Sequence, residues 1–290
     1  MLDKHALQDL VYRTTSPLLV GAELQIRSGG CGLFGDFFMA LDGLLFCERF
    51  GLRGRPIWDE RCLYYDEDRG DNAWDYFFEP PPIPQGKAWA TLPYFPSARH
   101  FHPAGSVSAR RVAALAVERY GRPREHLIEK ARTFLHQELR GGDYIAVHVR
   151  GTDATSGHEG RANVGPEHYT QVVWRALARS PDSLVFLATD ESDVVEAFRE
   201  HFGSRLRVRD CIRSGDGRSV HGHYDEGQPG SPAQKGEEVV IDALLLAWGK
   251  HLIRGHSRVT MYSLALRPEL SFDDVDLLAG EPARTPWLYS

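Results

Sequence analysis

The stretch that decides the fold is Tyr144-Ile145-Ala146-Val147-His148-Val149-Arg150-Gly151-Thr152-Asp153-Ala154-Thr155-Ser156-Gly157. Tyr144 to Val149 is apolar and β-branched, and Gly141-Gly142-Asp143 breaks the chain just before it, so it predicts a strand. Side chains alternate along a strand. Ile145, Val147 and Val149 are therefore expected on one face, with Ala146, His148 and Arg150 on the other. The run then opens into a loop of small residues. An imidazole and a guanidinium thus stand at the carboxyl end of a buried strand, where open α/β sheets hold ligands. Taken alone, Arg150 pairing with Asp153 to close the strand end is the plainer reading, since ion pairs produce such clusters too. The surrounding chain favours a site.

Downstream, strands and helices alternate with little between them. A helix is expected from Pro166, a residue suited to a first helical turn, to Arg179. Ser183 to Ala188 reads as an apolar strand, and Thr189-Asp190-Glu191-Ser192 can cap a helix over 193–202. Arg205 to Val208 reads as a short strand. Continuous apolar strands alternating with helices mean a parallel sheet covered on both faces. Residues 214–235 form a long polar loop whose His221-Gly222-His223-Tyr224-Asp225 reads as solvated, not metal-binding. Glu237 to Trp248 is apolar nearly all round and predicts a buried helix with Asp242 in its middle. A buried carboxylate must accept hydrogen bonds, either from a neighbouring arginine or from a ligand with adjacent N–H groups. His251 to Gly255 follows as a strand, and His256-Ser257-Arg258 opens a helix through Leu266. Ser257 can cap that helix, whose free amides make an anion seat.

Upstream, Leu18 to Ile26 reads as a first strand, followed by Ser28-Gly29-Gly30-Cys31-Gly32-Leu33-Phe34-Gly35-Asp36 and an apolar helix to Phe50. The glycines fit G-x-G-x-x-G in its proper strand–helix context, which keeps a Rossmann NAD(P)-dependent oxidoreductase among the alternatives. Its acidic ribose partner would be Asp59, 29 residues beyond Gly30, where about 20 is usual. Residues 58–105 read as irregular, aromatic and proline-rich, a cover for the core or the wall of a carbohydrate site. His100 and His102 have no third metal ligand in view. Two scaffold helices are expected over 108–120 and 124–139.

The chain of 290 residues has 42% hydrophobic and 26% charged residues, as an ordinary soluble protein does. A formal net charge of −6 argues against nucleic-acid binding. Cys31, Cys47, Cys62 and Cys211 lack C-x-x-C spacing and read as reduced thiols. With no signal-peptide pattern and no apolar run of about 18 residues, a cytoplasmic protein without a membrane span is expected.

Three blocks resemble the α1,6-fucosyltransferases and protein O-fucosyltransferases, including the rhizobial nodulation enzymes. They are Gly30-Cys31-Gly32-Leu33-Phe34-Gly35 before a helix; His148-Val149-Arg150-Gly151-Thr152-Asp153 with Pro166-Glu167-His168-Tyr169 after it; and Val240-Ile241-Asp242 followed by a strand and His256-Ser257-Arg258-Val259. This resemblance implies a GT-B-like α/β fold of two Rossmann-like domains, an acceptor-side domain over 1–140 and a donor domain over 141–290. It implies an inverting, metal-independent transferase using GDP-fucose, with no other cofactor and a carbohydrate, peptide or small-molecule acceptor. Arg150 would then bind the β-phosphate, His148 would help hold the nucleotide, and Asp242 would accept from guanine N1 and N2. Ser257 and Arg258 would seat the phosphates, while Gly30 and Gly32 would let the backbone close on the donor. The catalytic base would come from Asp153, His158 or Glu159, with Glu159 preferred and Asp153 orienting Arg150. The chain departs from the family in having Gly151 where α1,6 members carry a second arginine, and Ala154 after Asp153. A non-catalytic nucleotide- or sugar-binding relative is the further alternative.

Overall fold

The structure, a computed structural model, describes residue 11 and residues 14–82, 87–94, 107–151, 164–217, 220 and 230–278. Two parallel sheets organise it. Strands β1 (Glu23–Arg27), β2 (Arg53–Ile57) and β3 (Thr91–Tyr94) form the first in the order β2-β1-β3. Strands β4 (Tyr144–Val149), β5 (Leu184–Thr189), β6 (Leu206–Val208), β7 (His251–Arg254) and β8 (Phe272–Asp274) form the second in the order β6-β5-β4-β7-β8. The longer helices are α1 (Leu33–Arg49), α2 (Val107–Tyr120), α3 (Glu125–Glu138), α4 (Pro166–Arg179), α5 (Ser192–Phe202), α6 (Pro232–Trp248) and α7 (Arg258–Leu266). The α/β class with two Rossmann-like parallel sheets is the one the sequence implies. Among the described residues, no helix is long and apolar enough to cross a membrane.

All six residues of β4 are buried because helices cover both faces of its sheet. The expected alternation is present. Ile145, Val147 and Val149 join one core, with Val172 and Phe198 of α4 and α5. Tyr144 and Ala146 join the other, with Leu244 of α6 and Tyr262 of α7. The register sets His148 beside Ala188 of β5 on one side and Arg254 of β7 on the other.

Chain order fixes where a crevice opens. From β4 the chain crosses through α4 to β5 and on to β6, then returns through α6 to β7 on the opposite flank of β4. The connections leaving β4 and β7 therefore diverge, and their carboxyl ends flank a topological switch point. The first sheet repeats this at β1 and β3, so the glycine loop after β1 also lies at such a point.

Most of the described aromatic residues from Trp58 to Tyr94 are core. Trp58, Trp74, Phe77 and Phe78 are buried, and Trp74 lies 5.8 Å from Phe37 ring to ring. Tyr262 of α7 enters the same cluster, stacking on Phe34 at 4.3 Å and donating its hydroxyl hydrogen to the Gly121 carbonyl at 3.1 Å. The helices beneath the second sheet thus share a core with the first.

Some boundaries differ from those expected. The first strand starts at Glu23, not Leu18, because Ser16–Leu18 forms a 3-10 turn with Pro17 in it and Gly21 turns at φ +80°. The stretch read as irregular contains β3, an edge strand whose Pro93 masks the strand pattern yet is tolerated at an edge. Strand β8 went unread because Phe272-Asp273-Asp274 is short and acidic; it too is an edge. Helix α6 begins at Pro232, capped by the Ser231 hydroxyl accepting from Gln234 N–H, five residues before the expected start.

Candidate functional site

Two of the expected residues stand at the end of β4, His148 within the strand and Arg150 directly after it. His148 is 7% exposed, and its Nδ1 has no hydrogen-bond partner among the described residues. Burial pushes its imidazole down to about 4; Asp190 opposes the fall, while the Arg150 and Arg254 guanidiniums deepen it. His148 is therefore neutral at neutral pH and can offer one donor and one acceptor. Arg150 is partly buried, and the next amide, Gly151 N–H, donates to Asp190 Oδ1 at 2.9 Å. A β-carbon on Gly151 would collide with the Glu191 side chain, so that side chain fills the space beside Gly151. Asp190 and Glu191, read only as a helix cap, in fact shape the end of β4.

The end of β7 lies next to it. Ser257 is 2% exposed, caps α7, and accepts from Val259 N–H at 3.2 Å. The first-turn amides of α7 and the guanidinium of Arg258 give this end positive character. Arg254, which sequence reasoning passed over, is fully buried, ion-paired to Asp274 Oδ2 at 3.3 Å and set 5.5 Å from the Phe272 ring. Its signal was a lone arginine inside the apolar run Leu252-Ile253-Arg254. Behind the loop, His256 N–H donates to Asp276 Oδ2 at 2.7 Å.

The first turn of α1, directly after the glycine loop, meets α7. Arg258 Cδ lies 3.9 Å from where a Gly35 β-carbon would stand. Gly30 sits at φ +70°, a conformation that favours glycine, and Gly32 is the residue before α1. What holds this loop is Asp36, which the sequence placed only as a helix start. It is 1% exposed and accepts from Ser28 Oγ at 2.5 Å, Gly29 N–H at 2.9 Å and Cys31 N–H at 3.3 Å. Burial raises its carboxyl to about 6 despite those bonds and nearby Arg258.

Asp242 is less buried than its helix pattern predicted, with 18% of its side chain exposed. It has the arginine partner that was one of two open readings: Arg209 Nη1 donates to Oδ1 at 2.8 Å. Arg209 directly follows β6, two strand spacings or about 10 Å from β4. Asp59 is engaged by Arg27 Nη1 at 2.5 Å, so the acidic residue that a dinucleotide site would use on ribose already has a partner. Asp153, His158 and Glu159 lie outside the described residues, as do His100, His102, His221, His223 and Asp225. Among the described residues, no three His, Cys, Asp or Glu side chains are grouped to hold a metal.

The structure therefore places His148 and Arg150 at the end of the strand next to the one that leads into Ser257 and Arg258, and Arg258 in turn reaches the first turn of α1; Asp242 lies with Arg209 at the β6 side. No family model matches the chain, and no curated protein is significantly similar to it. Solved structures do share its fold. One is the NodZ α-1,6-fucosyltransferase soaked with GDP-fucose, at a TM-score of 0.54 and 15% identity over 91% of this chain and 97% of that one. Another is fucosyltransferase NodZ from Bradyrhizobium, at a TM-score of 0.54 and 16% identity over 87% and 94% of the two chains. A third is POFUT1 in complex with GDP, at a TM-score of 0.52 and 10% identity over 87% and 98%. At such identities the likeness is one of fold, and it falls on the two groups that the motifs resemble.

Proposed function

We propose that this chain is an inverting, metal-independent glycosyltransferase that moves a sugar, L-fucose, from GDP-fucose to an acceptor hydroxyl. One observation carries the reading: His148 near the end of β4 and Arg150 just after it stand beside the strand that leads into the Ser257–Arg258 helix start, at the switch point of a parallel sheet. That is an anion seat built from a guanidinium, a helix N-terminus and a second arginine. The solved structures sharing the fold include NodZ soaked with GDP-fucose and POFUT1 with GDP, which supports a guanosine diphosphate as the anion.

In this reading Arg150 holds the β-phosphate. Inverting transfer passes through an oxocarbenium-like state in which negative charge gathers on the departing diphosphate, and a fixed guanidinium stabilises charge that develops there. Neutral His148 gives the nucleotide a hydrogen bond without adding charge, while Ser257, its amide and Arg258 seat the phosphates. Asp242 accepts from guanine N1–H and N2–H with the lone pairs that Arg209 leaves to it. The distance between the β4 and β6 ends suits a nucleoside diphosphate lying across the sheet from phosphate to base. Gly30 and Gly32 allow close approach of the opposing backbone, which Asp36 braces. Glu159 takes the proton of the acceptor hydroxyl, and Asp153 orients Arg150.

Titration calorimetry of the full chain with GDP, UDP and NAD tests this. GDP is expected to bind at least roughly tenfold more tightly than UDP, since a pyrimidine cannot satisfy Asp242 in the same way. Equal affinity for GDP and UDP, or binding of NAD alone, overturns the assignment.

A further inference from the structure

We propose that Asp276 is a positioning residue of the donor site: its carboxylate fixes the peptide between Gly255 and His256 and thereby aims the start of α7 at the diphosphate. This rests on the donor reading above.

The chain leaves the second sheet at Arg254, the last residue of β7. Beyond that point the ladder supplies no partners, and each backbone N–H needs another one. For His256 that partner is Asp276 Oδ2 at 2.7 Å, a short bond to an ionisable acceptor. Asp276 stands in the short helical turn Val275–Leu278, directly after edge strand β8. It is brought there by β8 pairing with β7 in a register that sets Asp274 beside Arg254.

A second element grips the same peptide. The Tyr169 hydroxyl of α4 lies where a Gly255 β-carbon would go, and both Asp276 oxygens are 3.2 and 3.4 Å from that point. Gly255 and His256 are thus clamped between α4 and the turn after β8. The clamp precedes Ser257, whose extended backbone (φ −150°, ψ 142°) and capping hydroxyl begin α7. Fixing the loop before a ligand arrives lowers the ordering cost of binding.

The charge of Asp276 works against a nearby anion, so its value to the site lies in accepting the His256 N–H. That separates positioning from a general contribution to the fold. Asparagine can still accept through Oδ1 but carries no charge; alanine cannot accept. GDP titrations on the full chain should show D276A weakened about tenfold, with D276N within about twofold of the unmodified protein or tighter. In the unmodified chain the His256 amide should exchange slowly with solvent by NMR, a reading that needs no variant to fold. If D276A binds GDP as well as the unmodified chain, or both variants weaken equally, the positioning role is wrong while the donor reading stands. Exchange of the His256 amide at an unprotected rate likewise overturns the positioning role alone. Absence of GDP binding in the unmodified chain removes the donor reading and this inference with it.

Discussion

Arg209 Nη1 and Asp242 Oδ1 are 2.8 Å apart, joining the residue after β6 to the middle of α6. The pair is mostly buried, at 13% and 18% side-chain exposure. Arg209 also donates to the Glu238 carbonyl at 3.1 Å, so it is held from two points on α6. A carboxylate so anchored is a fixed acceptor, not a mobile one. Asp242→Asn should therefore weaken GDP by roughly 1–3 kcal/mol, because an amide N–H would face the donor N–H groups of guanine. UDP affinity should change little. Calorimetry that finds equal losses for both nucleotides would remove guanine from Asp242.

Two buried groups give opposite pH signatures. His148 has a folded pKa near 4 against 6.5 in the unfolded chain, so its contribution is fully present above pH 6.5 and is lost as pH falls toward 4. Asp36 has a folded pKa near 6 against 3.8, so its burden on the fold is full above pH 6 and disappears as pH falls toward 3.8. Each is worth about 3 kcal/mol at most. Between pH 4 and 6 they offset one another. Asp36→Asn removes only the second, so relative to the unmodified chain it should lose stability by up to about 3 kcal/mol between pH 7 and pH 4. Denaturant unfolding at both pH values measures this. A constant difference between the two proteins would mean that Asp36 is ionised as usual.

The elements that carry the candidate site were legible because strands announce themselves in both pattern and end. Tyr144 to Val149 was readable as a buried strand, and its alternation put His148 and Arg150 on one face. Ser257 was readable as a cap because a hydroxyl before an apolar helical run has few other uses. Partners were not readable. Nothing local says that Arg209 meets Asp242 across 33 positions, or that Asp36 closes back over Ser28 and Cys31. Arg254 and Asp276 escaped for another reason: their roles depend on β8, whose three residues carry too little apolar pattern to declare an edge strand.

Glu191 leaves no room for a side chain at position 151. Its side chain fills the space any substituent there would enter, while Asp190 Oδ1 accepts the Gly151 N–H. Gly151→Ala should destabilise the chain by roughly 1–3 kcal/mol through overpacking. Pairing it with Glu191→Ala should recover most of that loss. Thermal and denaturant midpoints of the two singles and the double provide the cycle, and additive effects would show that the two residues do not compete for space.

Chelation bears on the metal-independent reading. Charge on the leaving diphosphate is assigned to Arg150, Arg258 and the α7 amides, which need no ion. Transfer from GDP-fucose should therefore persist in EDTA, within about twofold. Loss of activity restored by Mn²⁺ would reassign that charge to a metal.

The remaining chemical step is removal of the acceptor proton. Asp153, His158 and Glu159 fall in the connection from β4 to α4, which leaves the sheet beside Arg150, the group assigned to the departing phosphate. A base must reach the hydroxyl as the sugar–phosphate bond breaks, so a residue in this connection is well placed in the chain. Asp153, three residues after Arg150, is assigned to orienting that guanidinium. His158 is suited to neutral pH, but the family resemblance read in the sequence prefers the carboxylate of Glu159. Glu159→Gln keeps the size and removes the base, so kcat should fall roughly 10²- to 10⁴-fold with GDP affinity nearly unchanged. Because a carboxylate base works only when ionised, the activity of the unmodified protein should fall on the acid side with one proton, and that limb should be absent from the residual rate of the variant. If Glu159→Gln turns over at the normal rate while His158→Ala or Asp153→Asn does not, the proton goes to that other residue.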